Sequence, residues 1–387
     1  PHNGHSNSFA DLLEILDPQR FCRGVPVRDR SLLDAVMVRR LKRDLRGIGI
    51  SDFPRRELVP VEIDNLPADA PELQLSELLQ EYRELREERL KGESRSRQKM
   101  ALLVVINLQK RLLSSIEAFA RTLKVHRMAV EKEAEKQKER SPSNLNILGE
   151  SPGGDDDRAE LPEADVEAET DAVMAAATRQ TGIGVTRREL ELLETMTDIA
   201  NAARYLPDPR CQYLTEWLRE HLCPNLGEPG AQWLDRRVLI FTEYTDTKRY
   251  LVQRLEEAIA RSDRANQRIG TFHGGMGEEK RQEIKNAFNA DPQKHPLRIL
   301  VATDAAREGV NLQNYCSHLF HFDIPWNPSR MEQRNGRIDR KLQRERVVYC
   351  YYFLLPQRTE DQVLDVLLKK TATIHRELGS LTPVIEK

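Results

Sequence analysis

The feature that limits the fold most is an alternation of short apolar runs and helical-period segments between residues 236 and 354. Residues 238–242 (VLIFT) open with four consecutive apolar residues, as expected for a strand buried on both faces. Residues 268–273, 298–303, 318–322 and 347–354 read as four more strands, with residues 246–260 and 277–289 as helices between them. Strands alternating with helices predict an α/β fold, a parallel sheet with helices on both faces. Ligands of such sheets bind beyond the carboxyl ends of the strands. The loops after residues 242, 273 and 303 are therefore where chemistry is expected.

Upstream, residues 9–16 read as a short amphipathic helix, and Ser31 can cap another running to about residue 45, with Arg39, Arg40, Lys42 and Arg43 clustered on it. Residues 57–63 (ELVPVEI) alternate like a strand whose Pro60 suits a sheet edge. Residues 73–90 and 98–140 read as two charged helices that project from a body or pack as a hairpin. Residues 141–184 hold Ser-Pro twice, paired glycines and Asp155-Asp156-Asp157, the composition of a mobile tether. The alternative for this stretch is an acidic mimic of nucleic acid that masks a basic groove. Thr186 is placed to cap a helix ending near residue 204, and another follows at 211–223.

A length of 387 residues allows two to three domains. The net charge of -2 hides local contrast, because the acidic stretch offsets basic segments elsewhere. Five cysteines without a Cys-x-x-Cys spacing argue against a zinc site or a disulfide framework and fit a reducing, cytoplasmic setting. No apolar run approaches membrane-spanning length, and no signal peptide opens the chain, so no membrane partner is expected. A start at Pro1 rather than Met reads as a fragment.

The most informative ten residues are 331–340, in which Gln333, Gly336, Arg337 and Arg340 fit Gln-x-x-Gly-Arg-x-x-Arg. On a helix running from Ser329, Arg337 and Arg340 would share a face. Two guanidiniums on one face repel, and a polyphosphate is a good reason for placing them there, since each planar fork binds phosphate oxygens bidentately. The plainer reading is a basic helix held by Glu332 and Asp339. Three strand-end loops could hold the same polyanion. The glycines of His273-Gly274-Gly275 let backbone N–H groups approach a phosphate. In residues 303–312, Thr303 can donate to a phosphate, Gly309 permits close approach, and Asn311 can bond a ribose hydroxyl.

In order, residues 238–242, 273–275, 301–312 and 333–340 resemble motifs IV, IVa, V and VI of superfamily 2 helicases, covering the second RecA-like lobe. Phe322-Asp323-Ile324-Pro325-Trp326-Asn327-Pro328 narrows the resemblance to Swi/Snf-type translocases. Within them it points to the bacterial branch of RapA-like ATPases and the helicases of DISARM-like phage-defence systems. Pro1-His2-Asn3-Gly4 resembles the end of motif III, and residues 38–44 the Arg-Arg-x-Lys segment between lobes. The resemblance implies that Arg337 and Arg340 are arginine fingers, and that Gln333, Gly336, Gly309 and Asn311 lie at the nucleotide. It implies that Thr242, His273, Gly274, Gly275, Thr303, Arg307 and Trp326 contact nucleic acid. For Trp326 the physics fits, since an aromatic ring stacks on any base; packing under the helix is the alternative.

The implied function is the C-terminal half of an ATP hydrolase coupled to translocation on nucleic acid, double-stranded DNA first, in a bacterial cytoplasm. The expected organisation is 1–60 as the tail of a first lobe, 61–140 as a helical protrusion, 141–185 as an acidic disordered linker, 186–354 as the second lobe and 355–387 as a brace helix. Neither Gly-x-x-x-x-Gly-Lys-[Ser/Thr] nor an acidic pair at a strand end occurs, so ATP and Mg2+ would be held mainly by a lobe absent from this sequence. Asp304 stands where eukaryotic relatives usually carry a basic residue. Two other readings stay open: a strand-separating RNA or single-strand helicase, and a non-catalytic interaction module that docks a protein partner on the helical protrusion.

Overall fold

The computed structural model describes residues 13–22, 25, 30–36, 53–135, 162–180, 186–304 and 311–378. The chain divides into two compact units, Pro1–Phe53 with Ile374–Lys387, and Pro54–Thr373. The first contains α1 (Arg30–Val36); the rest of the helix expected after Ser31, to about residue 45, lies outside the described residues. The basic cluster 39–43 and residues 1–4 lie outside the described residues.

The second unit opens with β1 (Arg55–Glu62) and five helices: α2 (Pro71–Leu90), α3 (Arg95–Ser114), α4 (Ile116–Glu135), α5 (Glu163–Gln180) and α6 (Arg187–Ala203). After α7 (Pro209–His221) come β2 (Arg237–Thr242), α8 (Thr245–Ile259), β3 (Ile269–Phe272), α9 (Glu278–Asn289) and β4 (Ile299–Thr303). β5 (Cys316–His321), α10 (Pro328–Asn335), β6 (Val347–Leu354) and α11 (Thr359–Leu378), which belongs to it as far as Thr373, complete it. The strands form one parallel six-stranded sheet in the order β1-β6-β5-β2-β4-β3. The α/β architecture is the expected one, and β1 with its Pro60 forms an edge.

The period of two divides the core. Val238 and Ile240 face Trp217 and Leu218 of α7 and Leu251 and Leu255 of α8. Leu239 and Phe241 face Phe288 of α9 and Ile338. β2 lies between β4 and β5 with every residue buried, which is why its sequence shows no polar side.

Helices α2–α6 enclose a second core, with Leu75, Tyr82, Leu108, Phe119, Leu123, Met174, Ala177 and Met196 inside. A buried polar chain joins three of them. Arg86 donates to the Tyr82 hydroxyl at 2.6 Å, Tyr82 Oη lies 2.7 Å from His126 Nε2, and His126 Nδ1 lies 2.8 Å from Thr178 Oγ1. Thr186 caps α6 with a reciprocal bond to Glu189, as the sequence indicates.

Two expectations change here. The long helix at 98–140 is broken at Ser115, whose extended backbone separates α3 from α4 and whose hydroxyl accepts from Ala118 N. Residues 163–180, read as part of the linker, are helix α5. Small apolar residues pack Met174 and Ala177 into the bundle, while Glu163 and Asp165 in the first turn suit the positive end of the helix dipole. The preceding acidic residues, 141–161, lie outside the described residues.

Burial lowers the pKa of His126, of His318 to about 4 and of His321 to about 3, with Arg86, His221 and Arg334 respectively adding to it. In the unfolded chain these imidazoles return to about 6.5, so the unfolded state binds more protons below that pH. Stability is therefore full above about pH 6.5 and falls as pH drops toward the folded values. Lowering the pH from about 7.5 to about 5 should reduce the urea unfolding free energy by on the order of 1–2 kcal/mol per buried histidine. His126→Gln should remove one share of that dependence.

Candidate functional site

Three parallel strands, β2, β4 and β5, end side by side, and their last residues lead into Glu243, Asp304 and Asp323. Arg334 of α10 enters this corner with only 2% exposure. It binds Asp304 through two bonds of 2.6 and 2.7 Å, the Asp323 carbonyl at 2.8 Å and Asp323 Oδ1 at 3.4 Å. Burial alone would lower the Arg334 pKa; the two carboxylates reverse that and leave it raised. Asp323 also accepts from Thr242 Oγ1 at 2.6 Å, Glu243 N at 2.8 Å and Ser114 Oγ at 2.5 Å. Ser114 and Ser115 both lie 2.7 Å from Thr247 Oγ1. The helix break at Ser115 thus fastens the bundle to the strand ends. Burial, then Asp304 and Asp323, raises the Glu243 pKa, with Arg330 opposing at 3.6 Å.

This corner changes the reading of two residues expected to track phosphates. Thr242 is fully buried and its hydroxyl is committed to Asp323. Thr303 is 2% exposed, and its hydroxyl has no hydrogen-bond partner among the described residues. Both side chains point into the protein, because their strands are covered on both faces. Asp304, the unusual acid, is the buried counterion of Arg334 rather than a surface group. Gly309 and Arg307 lie outside the described residues.

At the end of β3, Gly275 adopts φ +71°, a conformation that favours glycine, and turns the chain after His273 and Gly274. His273 Nδ1 lies 2.7 Å from Gly274 O. The N-terminus of α8 is beside it: His273, Thr245 and Lys248 all contact Glu163. The N-cap residue Tyr244 makes no side-chain capping bond.

Helix α10 stops at Asn335, so Arg337 and Arg340 do not share a helical face; they lie on the turn that follows. A Cβ at Gly336 would meet the carbonyls of Glu332 and Gln333 at 3.3 and 3.4 Å, which explains the glycine at this tight exit. Arg337, Arg340 and Gln333 are each partly exposed. Arg340 donates to Gly336 O at 2.7 Å, and burial lowers its pKa. The Arg337 carbonyl accepts from Leu312 N at 3.1 Å, beside exposed Asn311. Gln343 reaches Cys316, the first residue of β5. The turn is thus held on both sides: Asn335 at the end of α10 meets His321, the last residue of β5, at 2.8 Å, and Gln343 beyond it meets the first. Glu332 and Asp339 are engaged by Arg56 of β1, at 3.0 and 3.5 Å. Trp326 packs, half-buried, against the cluster of Leu113, Ile324, Met331 and Leu354.

The sequence reading missed Arg334, Asp323, Ser114 and Lys248. The motif contained Arg334, and the only signal for its role was an acid at 304 where a base was expected. Among the described residues no group of His, Cys, Asp or Glu is placed to hold a metal, and no helix is long and apolar enough to cross a membrane. Arg337, Arg340 and Gln333 fit a phosphate by chemistry but offer donors only, not a cradle. Arg334→Ala should cost about 3–5 kcal/mol of unfolding free energy, as a buried pair losing one member does. Arg337→Ala should cost about 1 kcal/mol or less; urea titration of both variants distinguishes them.

The family described as Helicase conserved C-terminal domain matches residues 219–341. The chain is 35% identical over 154 residues to an uncharacterized ATP-dependent helicase, YqhH, of Bacillus subtilis, covering 40% of this chain and 25% of that protein. It is 32% identical over 167 residues to the RNA polymerase-associated protein RapA of Pectobacterium atrosepticum, covering 43% of this chain and 13% of RapA. The matched stretch thus spans a quarter or less of these relatives. Among solved structures, the C-terminal part of the Fun30 ATPase domain aligns with a TM-score of 0.42 at 13% identity, over 81% of this chain and 89% of that one. The Pyrococcus furiosus Hef helicase domain aligns with a TM-score of 0.43 at 14% identity, over 90% and 66%. Residues 219–341 are thus similar to a helicase C-terminal domain and, at low identity, to part of RapA, within an α/β lobe that carries helical insertions.

Proposed function

We propose that this chain is the C-terminal half of an ATP-driven translocase on nucleic acid, with double-stranded DNA as its track, of the Swi/Snf type. The observation that carries the reading is the division of labour among three arginines of one motif. Arg334 is consumed by Asp304 and Asp323, while Arg337 and Arg340 stand partly exposed on the turn beyond it. Their neighbouring acids, Glu332 and Asp339, are engaged by Arg56. Guanidiniums set on a rigid turn can offset the charge that develops on a transferring phosphoryl group. Gln333, Gly336, Asn311 and Gly309 would line the nucleotide beside them. The nucleotide, with Mg2+, supplies the free energy of hydrolysis, and a partner lobe would supply the cradle and the metal ligands.

Nucleic acid would be met at the His273–Gly274–Gly275 turn and the start of α8, with Arg307 and Trp326 as further contacts. Thr242 and Thr303 would join only if the corner around Asp323 opens. Contacts of this kind go to phosphates, so binding should ignore sequence and weaken steeply with salt. The bacterial cytoplasm and a role in phage defence belong to this reading through the resemblance alone.

In the full-length protein, Arg337→Ala should lower nucleic-acid-stimulated ATP turnover by about 10³-fold or more, with nucleic-acid affinity nearly unchanged. An interaction module that docks partners on α2–α6 would keep its function in that variant, and a strand-separating helicase would unwind a tailed duplex in a displacement assay. The isolated chain, lacking a Gly-x-x-x-x-Gly-Lys-[Ser/Thr] segment, should show no DNA-stimulated ATP hydrolysis in a phosphate-release assay.

A further inference from the structure

Helix α5 has two halves with different neighbours. Its C-terminal half belongs to the bundle, where Met174 and Ala177 are buried and Thr178 meets His126. Its N-terminal half carries Glu163, Asp165, Glu167, Glu169 and Asp171, an acid at every second position. Two of these acids reach across to the lobe. Glu163 Oε1 receives the Lys248 ammonium and Thr245 Oγ1 at 3.4 Å, and lies 3.1 Å from His273 Nδ1, which also lies 2.7 Å from Gly274 O. Glu167 binds Arg249 at 2.8 Å and Arg121 at 3.3 Å.

The three groups around Glu163 come from two elements, the N-terminus of α8 and the turn after β3. The first turn of α8 also carries buried Asp246, which pairs with Arg121 at 2.6 Å and with Arg249 at 3.7 Å. The Lys248 side chain is only 6% exposed, and a buried ammonium requires an anion beside it. An ammonium, a hydroxyl and an imidazole converging on one oxygen form a donor set that suits a phosphodiester oxygen. Here the oxygen is a carboxylate, supplied by the chain itself. The Glu163 and Glu167 side chains remain 19% exposed, and the Arg249 side chain 48%, so the outer side of this contact borders solvent.

We propose that Glu163 occupies a phosphate subsite built by Thr245, Lys248 and His273, so that the acidic half of α5 and a nucleic-acid strand compete for one surface. This rests on the nucleic-acid reading above and adds a regulatory element to it. Duplex binding would release Glu163 and Glu167 while Met174 and Ala177 keep the other half of α5 in the bundle. The acidic helix would then set a threshold that a strand must exceed before it engages the turn.

The test is fluorescence anisotropy of a labelled duplex with the purified chain across a salt series. The E163Q/E167Q double variant should bind about tenfold more tightly, as expected when a charge-assisted competitor is removed. Its affinity should also fall more steeply with salt, because one or two more phosphates are engaged. Adding Lys248→Ala should abolish the gain. Should the double variant melt early by circular dichroism, hydrogen exchange on the unaltered chain decides instead. Saturating duplex should then speed exchange in the first turns of α5 and leave its last turns protected. Binding by the unaltered chain with no gain in the double variant, or with α5 exchange unchanged, overturns the competition and leaves the nucleic-acid reading standing. Failure of the chain and of every variant to bind duplex overturns both.

Discussion

One buried ion pair holds the working end of this lobe together. Arg334 stands between Asp304 and Asp323, and Asp323 in turn gathers Thr242, the Glu243 amide and Ser114. Taking these charges out of water is costly, and only dense mutual bonding offsets it. The arrangement therefore exists only when β2, β4, β5, α10 and the end of α3 are all in place. It makes the ends of three strands and the foot of the helical bundle a single cooperative corner.

That corner decides which surfaces are left for ligands. The hydroxyls of Thr242 and Thr303 are turned inward, and part-buried donors gather instead at the neighbouring turn, where His273, Gly275 and the start of α8 meet. The arginine turn after α10 forms a second surface, fastened by the bond from Leu312 to the Arg337 carbonyl. The two surfaces are linked through α10, which begins near one and ends near the other. A change of charge at the arginine turn has a short covalent path to the corner that organises the strand ends.

The bundle is more than a spacer. Ser114 and Ser115 attach it to Asp323 and Thr247, Glu360 accepts from Ser76 and Gln109, and α5 brings its acids onto the lobe. Its own core, with the Arg86–Tyr82–His126–Thr178 chain, is separate from these points of attachment.

Much of the fold was legible in sequence because its signals are local. Four apolar residues in a row at 238–241 require burial on both faces wherever they fold, Pro60 suits only an edge, and Thr186 with Glu189 writes its own cap. The spacing of Gln333, Gly336, Arg337 and Arg340 picked out a segment that folds as a tight helix exit and turn, though not that the helix ends before the arginines. What sequence could not convey were partnerships between residues far apart in the chain. Arg334 with Asp304, Ser114 with Asp323, and Glu163 with Lys248 and His273 are ion pairs and hydrogen bonds that reach only a few ångströms. An acid near position 163 reads as linker until folding sets it against a buried ammonium. Local propensity and periodicity therefore determined the elements, and only the tertiary structure decided which charges are paired inside and which lie partly exposed, because those pairings join residues far apart in the chain.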